Sequence, residues 1–126
     1  MYAATEKYGR CVICLVTLLI VIPIGGCESV DGPEDGVYTA AQVTQLAECL
    51  SASGAVLYGA DWCPYTHQQI QAFGDAFGHI TYVECTEQPS VCDQAGVSSY
   101  PTWVIDGQVH PGLCDLSTLA AMSGCN

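Results

Sequence analysis

Ala55-Val56-Leu57-Tyr58-Gly59-Ala60-Asp61-Trp62-Cys63-Pro64-Tyr65-Thr66 decides the reading of this chain. The apolar run at its start reads as a short buried strand, and the strand ends on a cysteine that opens a helix. Pro64 has the fixed φ and missing N–H that suit a first helical position. The Cys63 sulfur then sits where unpaired backbone N–H groups and the helix dipole favour negative charge. Such a site lowers a thiol's pKa, and the thiolate is the nucleophile.

Working outward, Val43, Leu46, Ala47 and Leu50 recur at helical spacing before this stretch, with Thr39 as a cap and Gly54 as a stop. After it, Ile70, Phe73 and Phe77 share a helix face. Ile80 to Glu84 is a β-rich run, expected to lie parallel to the first strand because a helix of crossover length separates the two. Pro89 to Ala95 predicts a short helix carrying Cys92, ended by Gly96. Trp103-Val104-Ile105 is a third strand, and Asp106-Gly107 is a two-residue hairpin signal that returns the chain through Gln108 to His110. Asp115 is placed to cap a last helix with Leu116, Leu119 and Ala120 on one face. The order is helix, strand, helix, strand, helix, strand, strand, helix: one α/β domain.

The N-terminal part has a different character. Lys7 and Arg10 precede an apolar run from Cys11 to Ile24, followed by Gly25, Gly26 and Cys27. The run falls short of the about 20 apolar residues a membrane-spanning helix needs, so residues 1–26 read as a signal peptide. Ile24-Gly25-Gly26-Cys27 is similar to a lipoprotein box in which Cys27 is lipidated; an uncleaved membrane anchor is the alternative. Residues 27–37 are rich in Gly, Pro and acids and read as a flexible linker, leaving 38–126 as the folded domain. Either route implies an extracytoplasmic, membrane-tethered protein.

Of 126 residues, only 2 are Lys or Arg against 13 Asp or Glu, and both cations lie in the signal segment. Nucleic-acid binding is excluded, since it rests on cationic contacts the domain lacks. The acidity reads as solubility rather than as a binding surface. No lysine or arginine can steady a Cys63 thiolate, so that task falls to the helix terminus, local hydrogen bonds or His67.

There are 9 cysteines. With Cys11, Cys14 and Cys27 set aside, Cys49, Cys63, Cys85, Cys92, Cys114 and Cys125 remain, and no Cys-x-x-Cys pair occurs among them. Outside the cytoplasm such a set reads as disulfides rather than a zinc site. Cys63, His67 and His110 lack a third kind of ligand placed by spacing, so no metal and no cofactor is expected.

The strand ending in Trp62-Cys63-Pro64 resembles the thioredoxin fold, whose redox motif is Trp-Cys-x-x-Cys. Thr66 stands where that family has its second, resolving cysteine. More closely, Tyr58-Gly59-Ala60, Trp62-Cys63-Pro64, Phe73-Gly74, Tyr82-Val83-Glu84-Cys85, Tyr100-Pro101-Thr102-Trp103 and Leu119-Ala120 with Ser123-Gly124 are similar to the thioredoxin-like domain associated with bacterial and plant vitamin K epoxide reductase homologues. The resemblance covers Tyr58 to Gly124. It implies a three-layer α/β/α fold, a mixed sheet of parallel strands plus a C-terminal β-hairpin, and Pro101 as a cis-proline facing Cys63. It further implies Cys85 and Cys92 as a structural disulfide, protein thiols, disulfides or small thiols as partners, and a vitamin K epoxide reductase-like membrane protein as a candidate partner.

With Thr66 in the second place, three readings stay open. Cys63 acts as a monothiol resolved by an outside thiol or the substrate's second cysteine; another cysteine of the chain replaces the missing one; or the site is a redox-inactive binding module. In the fold the resemblance implies, the strand through His110 runs back towards Cys63 and Pro101, which makes Cys114 the candidate resolving cysteine, with a structural bridge, such as one to Cys125, as the alternative. Cys49 lies several strand residues away, beyond disulfide reach of Cys63. Trp62, Tyr65 and Tyr100 are the expected substrate-docking residues.

Overall fold

The computed structural model describes residues 36–126; the signal-like segment, Cys11, Cys14 and the lipidation candidate Cys27 lie outside the described residues. Helix α1 spans Ala40–Ala52 and starts on a reciprocal cap: the Thr39 hydroxyl accepts from Gln42 N at 3.3 Å, and the Gln42 side chain accepts from Thr39 N at 2.9 Å. Gly54, at φ +82°, turns the chain into β1, Val56–Gly59.

Strand β1 pairs parallel with β2, Tyr82–Glu84, setting Leu57 beside Tyr82, Tyr58 beside Val83 and Gly59 beside Glu84. On its other side it pairs antiparallel with β3, Thr102–Ile105, setting Leu57 against Trp103. Strand β3 pairs antiparallel with β4, Gln108–Pro111. Asp106 and Gly107 both take positive φ, 50° and 75°, the mirror-image turn whose twist matches a two-residue hairpin. The sheet order is therefore β2-β1-β3-β4, with a helical crossover between its two parallel strands and a hairpin at the end. The fold is thioredoxin-like.

Side chains alternate across the sheet and make two unequal layers. Leu57, Trp103 and Ile105 face the larger one, with Leu46, Ala47 and Leu50 of α1, Phe73 of α2 (Pro64–Phe73) and Leu119 and Ala120 of α4 (Leu116–Ser123). Tyr58 and Val83 face the other, against Cys85, Cys92 and Val97, which belong to or flank α3, Pro89–Gln94. Three layers result, with the β1-to-α2 turn at the C-terminal ends of both parallel strands.

Three local expectations are refined. The second helix does not run to Phe77: Gly74, at φ +53°, ends it, and Gly74–His79 continues as a 3₁₀ helix that still brings Phe77 against the larger layer. Strand β2 pairs from Tyr82, while Ile80 is buried just before it. Cys125 bonds to Cys49, with Cα atoms 5.8 Å apart, so the alternative bridge from Cys114 to Cys125 is not formed. Cys49 lies near the end of α1, and α4 and its C-terminal turn at Gly124 pack in the same layer, which carries Cys125 to it. Cys85 and Cys92 form the second disulfide, leaving Cys63 and Cys114 as the free thiols among the described residues.

Candidate active site

Cys63 occupies the N-cap of α2 in extended conformation, with Pro64 as the first helical residue. Its backbone is fixed on both sides, Cys63 N donating to Ala60 O at 3.0 Å and Cys63 O accepting from His67 N at 3.2 Å. The helix buries one stripe, Cys63, Thr66, Gln69 and Phe73, so the residue in the second motif place lies on the same covered face as the nucleophile.

Burial of the Cys63 thiol alone pushes its pKa up. The Thr66 backbone N–H, the Thr66 side chain and the Tyr65 backbone N–H outweigh that penalty, and the thiol is held below its ordinary value. Thr66 is 1% exposed, and its hydroxyl also accepts from Ala60 N at 3.3 Å, tying strand end to helix start. In the thiol form Cys63 Sγ donates to Tyr100 O at 3.5 Å. Ionisation gives up that bond, and the sulfur then only accepts, chiefly from Thr66.

The Tyr100–Pro101 bond is cis, and Gly112 N donates to Pro101 O at 2.8 Å, which holds the loop after β4 against this corner. Trp62 is 66% exposed and Tyr65 58%, on either side of a sulfur-bearing residue that is only 6% exposed. Trp62 stands edge-on to Tyr100, ring centroids 5.9 Å apart. Two exposed aromatic side chains thus flank the buried nucleophile in the sequence.

Cys114 sits elsewhere. Its backbone is gripped by the Gln69 side-chain amide, Cys114 N donating to Gln69 Oε1 at 2.9 Å and Gln69 Nε2 donating to Cys114 O at 3.0 Å. Gln69 is six residues beyond Cys63, about 9 Å along a helix rising about 1.5 Å per residue. Burial, then the Asp115 carboxylate, raises the Cys114 pKa, so it is a poorer nucleophile than Cys63 near neutral pH.

His67 is exposed, its Nε2 2.5 Å from Asp61 O. Among the described residues no three His, Cys, Asp or Glu side chains gather into a metal-ligating group.

Two residues escaped the sequence reading. Gln69 was legible only as a position three residues past Thr66 on the Cys63 stripe; its polar type hid the role. Glu84 ends β2 beside Gly59, and its carboxylate accepts from Asp61 N at 3.1 Å, Thr86 N at 3.1 Å, the Thr86 hydroxyl and Tyr82 OH at 2.5 Å. A parallel register at that strand end was its signal.

No family model matches the chain. Among curated proteins it is similar to the thiol-disulfide oxidoreductase LTO1 of Arabidopsis thaliana, 36% identical over 88 residues that cover 63% of this chain. The match spans 23% of that relative's length. Among solved structures, oxidised glutaredoxin 2 from Chlamydomonas reinhardtii aligns over 69% of this chain and 97% of its own, with 21% identity and a TM-score of 0.40.

Proposed function

We propose that this domain performs thiol-disulfide exchange through Cys63 as its single nucleophile. The observation that carries the reading is the Cys63 thiol at a helix N-cap, held below its ordinary pKa by Thr66 and Tyr65. The similarity to a plant thiol-disulfide oxidoreductase supports the same class of chemistry.

The Cys63 thiolate attacks one sulfur of a substrate disulfide. A new Cys63–substrate S–S bond forms as the old one breaks, and the departing sulfur leaves as a thiolate that takes a proton from solvent. With Thr66 in the second place, no neighbour on the motif can attack the mixed disulfide. Resolution then needs a second thiolate, either a small thiol of the glutathione class or the substrate's own second cysteine. Attack on the substrate sulfur frees Cys63 and closes the cycle. A small thiol resolving two successive exchanges is oxidised to its disulfide and reduces the substrate; the substrate's own thiol merely moves the bond. Cys114 is the alternative resolving group, and its grip by Gln69 and raised pKa favour the outside thiol.

The redox-inactive binding reading draws on Thr66 and on the 6% exposure of Cys63. Turnover separates the two. With a peptide disulfide and excess glutathione, the wild type should accelerate exchange, Cys63→Ser should not, and Cys114→Ser should retain the rate. Thr66→Cys should add reductase activity that needs only a dithiol donor. Wild-type and Cys63→Ser proteins with equal rates would leave the binding reading.

The same proposal places the domain outside the cytoplasm, anchored through a lipidated Cys27, because of the Ile24 to Cys27 string. Fatty-acid labelling that Cys27→Ser abolishes is the expected result. The resemblance of Tyr58 to Gly124 makes a vitamin K epoxide reductase-like membrane protein the first partner to test for a mixed disulfide with Cys63.

A further inference from the structure

At the Cys63 turn, one carboxylate gathers donors from three separate pieces of chain. Glu84 Oε1 accepts from Asp61 N at 3.1 Å, in the turn two residues before Cys63, and from Thr86 N at 3.1 Å in the loop after β2. The Thr86 hydroxyl bonds both that oxygen and Asp61 Oδ1, the latter at 3.1 Å. Glu84 Oε2 accepts from Tyr82 OH at 2.5 Å. The phenol in turn packs against the strand end: a Cβ added to Gly59 would lie 2.9 Å from Tyr82 Oη and 2.5 Å from Thr66 Cγ2. Tyr82 and the residue that supplies Cys63's donors therefore crowd one point, and Glu84 holds that phenol on one side and the Asp61 backbone on the other.

We propose that Glu84 is a positioning residue for the nucleophile, acting through Asp61 and Tyr82 to keep the β1-to-α2 turn where Cys63 meets the Thr66 and Tyr65 donors. The inference rests on the exchange reading and adds to it the element that pre-sets the thiol. The hydrogen bonds keep Glu84 ionised despite the burial that opposes it, and burial followed by Glu84 pushes the Tyr82 phenol up, so the pair is one carboxylate and one neutral phenol at neutral pH. Bonds to an ionised acceptor are roughly twice as strong as neutral ones, which suits a clamp on the strand-to-helix turn.

The sign of one shift tests the proposal. A carboxylate acting merely by its charge would disfavour the thiolate, and its loss would lower the Cys63 pKa. A carboxylate that positions donors does the reverse. Cys63 alkylation by iodoacetamide is followed against pH by peptide mass spectrometry in full-length wild type, Glu84→Gln, Glu84→Ala and Tyr82→Phe. Glu84→Gln preserves shape while its neutral amide oxygen accepts only about half as strongly from Asp61 N and Thr86 N and its NH2 group replaces the acceptor of the Tyr82 hydroxyl, and it covers the case in which Glu84→Ala does not fold. The expected result is a rise of the Cys63 pKa in Glu84→Gln by about half a unit to one unit, that is about 3- to 10-fold less thiolate below the wild-type pKa. Tyr82→Phe, which leaves the Oε1 bonds, should show a smaller rise. An unchanged or lowered pKa in folded Glu84→Gln, with the wild type still low, would overturn the positioning role and leave the exchange reading intact. A wild-type Cys63 that titrates as an ordinary thiol would overturn both.

Discussion

Thr66 carries part of the task of ionising Cys63, through its backbone N–H and its side chain. Thr66→Val should therefore raise the Cys63 pKa and leave Ala60 N without its side-chain partner, measurable as slower alkylation at neutral pH. Gly59 is constrained by the same crowding. A methyl there meets Thr66 Cγ2 at 2.5 Å and Tyr82 Oη at 2.9 Å, closer than side-chain carbons pack. Gly59→Ala should cost about 1–3 kcal/mol in denaturant unfolding, the usual penalty of overpacking. The place of Cys63 at a helix start could be read from the sequence because Pro64 beside it is a local signal. Gln69 and Glu84 could not, because the partners that define them lie 45 and 23 residues away.

At the scale of elements, the ends matter more than the middles. Asp115 caps α4 by accepting from Thr118 N at 2.8 Å, and bonds from Ser117, then Thr118, hold its carboxyl at about 2. Asp115→Ala should cost about 0.5–2 kcal/mol, towards the low end because the residue is exposed. Its folded pKa is depressed, so its contribution is complete above the ordinary value of about 3.9 and disappears as pH falls towards about 2. Urea unfolding of wild type and Asp115→Asn between pH 5 and pH 2 should show their difference shrinking through that window. Gln69 holds a loop rather than a helix end. Gln69→Ala leaves Cys114 N and O unpaired, which should cost about 1–3 kcal/mol and speed Cys114 alkylation. The sequence placed the four α-helices and four strands of the described residues because caps, turn glycines and periodicity agree. It carried the second helix past Gly74, since Phe77 continues the apolar spacing while only the positive φ of Gly74 breaks the helix.

Over the whole domain, covalent bonds stand in for salt bridges. The described residues contain no Lys or Arg, and their one ion pair joins His79 and Glu48 at 3.8 Å on the surface, formed only when the histidine is protonated. Cys49–Cys125 closes a separation of 76 residues, worth about 4–5 kcal/mol in the chain-entropy model, against about 2.5 kcal/mol for the short Cys85–Cys92 loop. Cys49→Ser/Cys125→Ser should thus lower the unfolding midpoint more than Cys85→Ser/Cys92→Ser. Pairing was the least legible feature of the sequence, because it depends on which helix ends share a layer. The central claim is that Cys63 is an activated thiol and that Cys114, the other free thiol among the described residues, is not, and one titration addresses it. Iodoacetamide alkylation of Cys63 and Cys114 in the same intact protein, followed on their own peptides from pH 5 to pH 10, should show Cys63 reacting with a pKa below the ordinary thiol value and Cys114 with one above it. Coincident curves, or Cys114 reacting at the lower pH, would contradict exchange through Cys63.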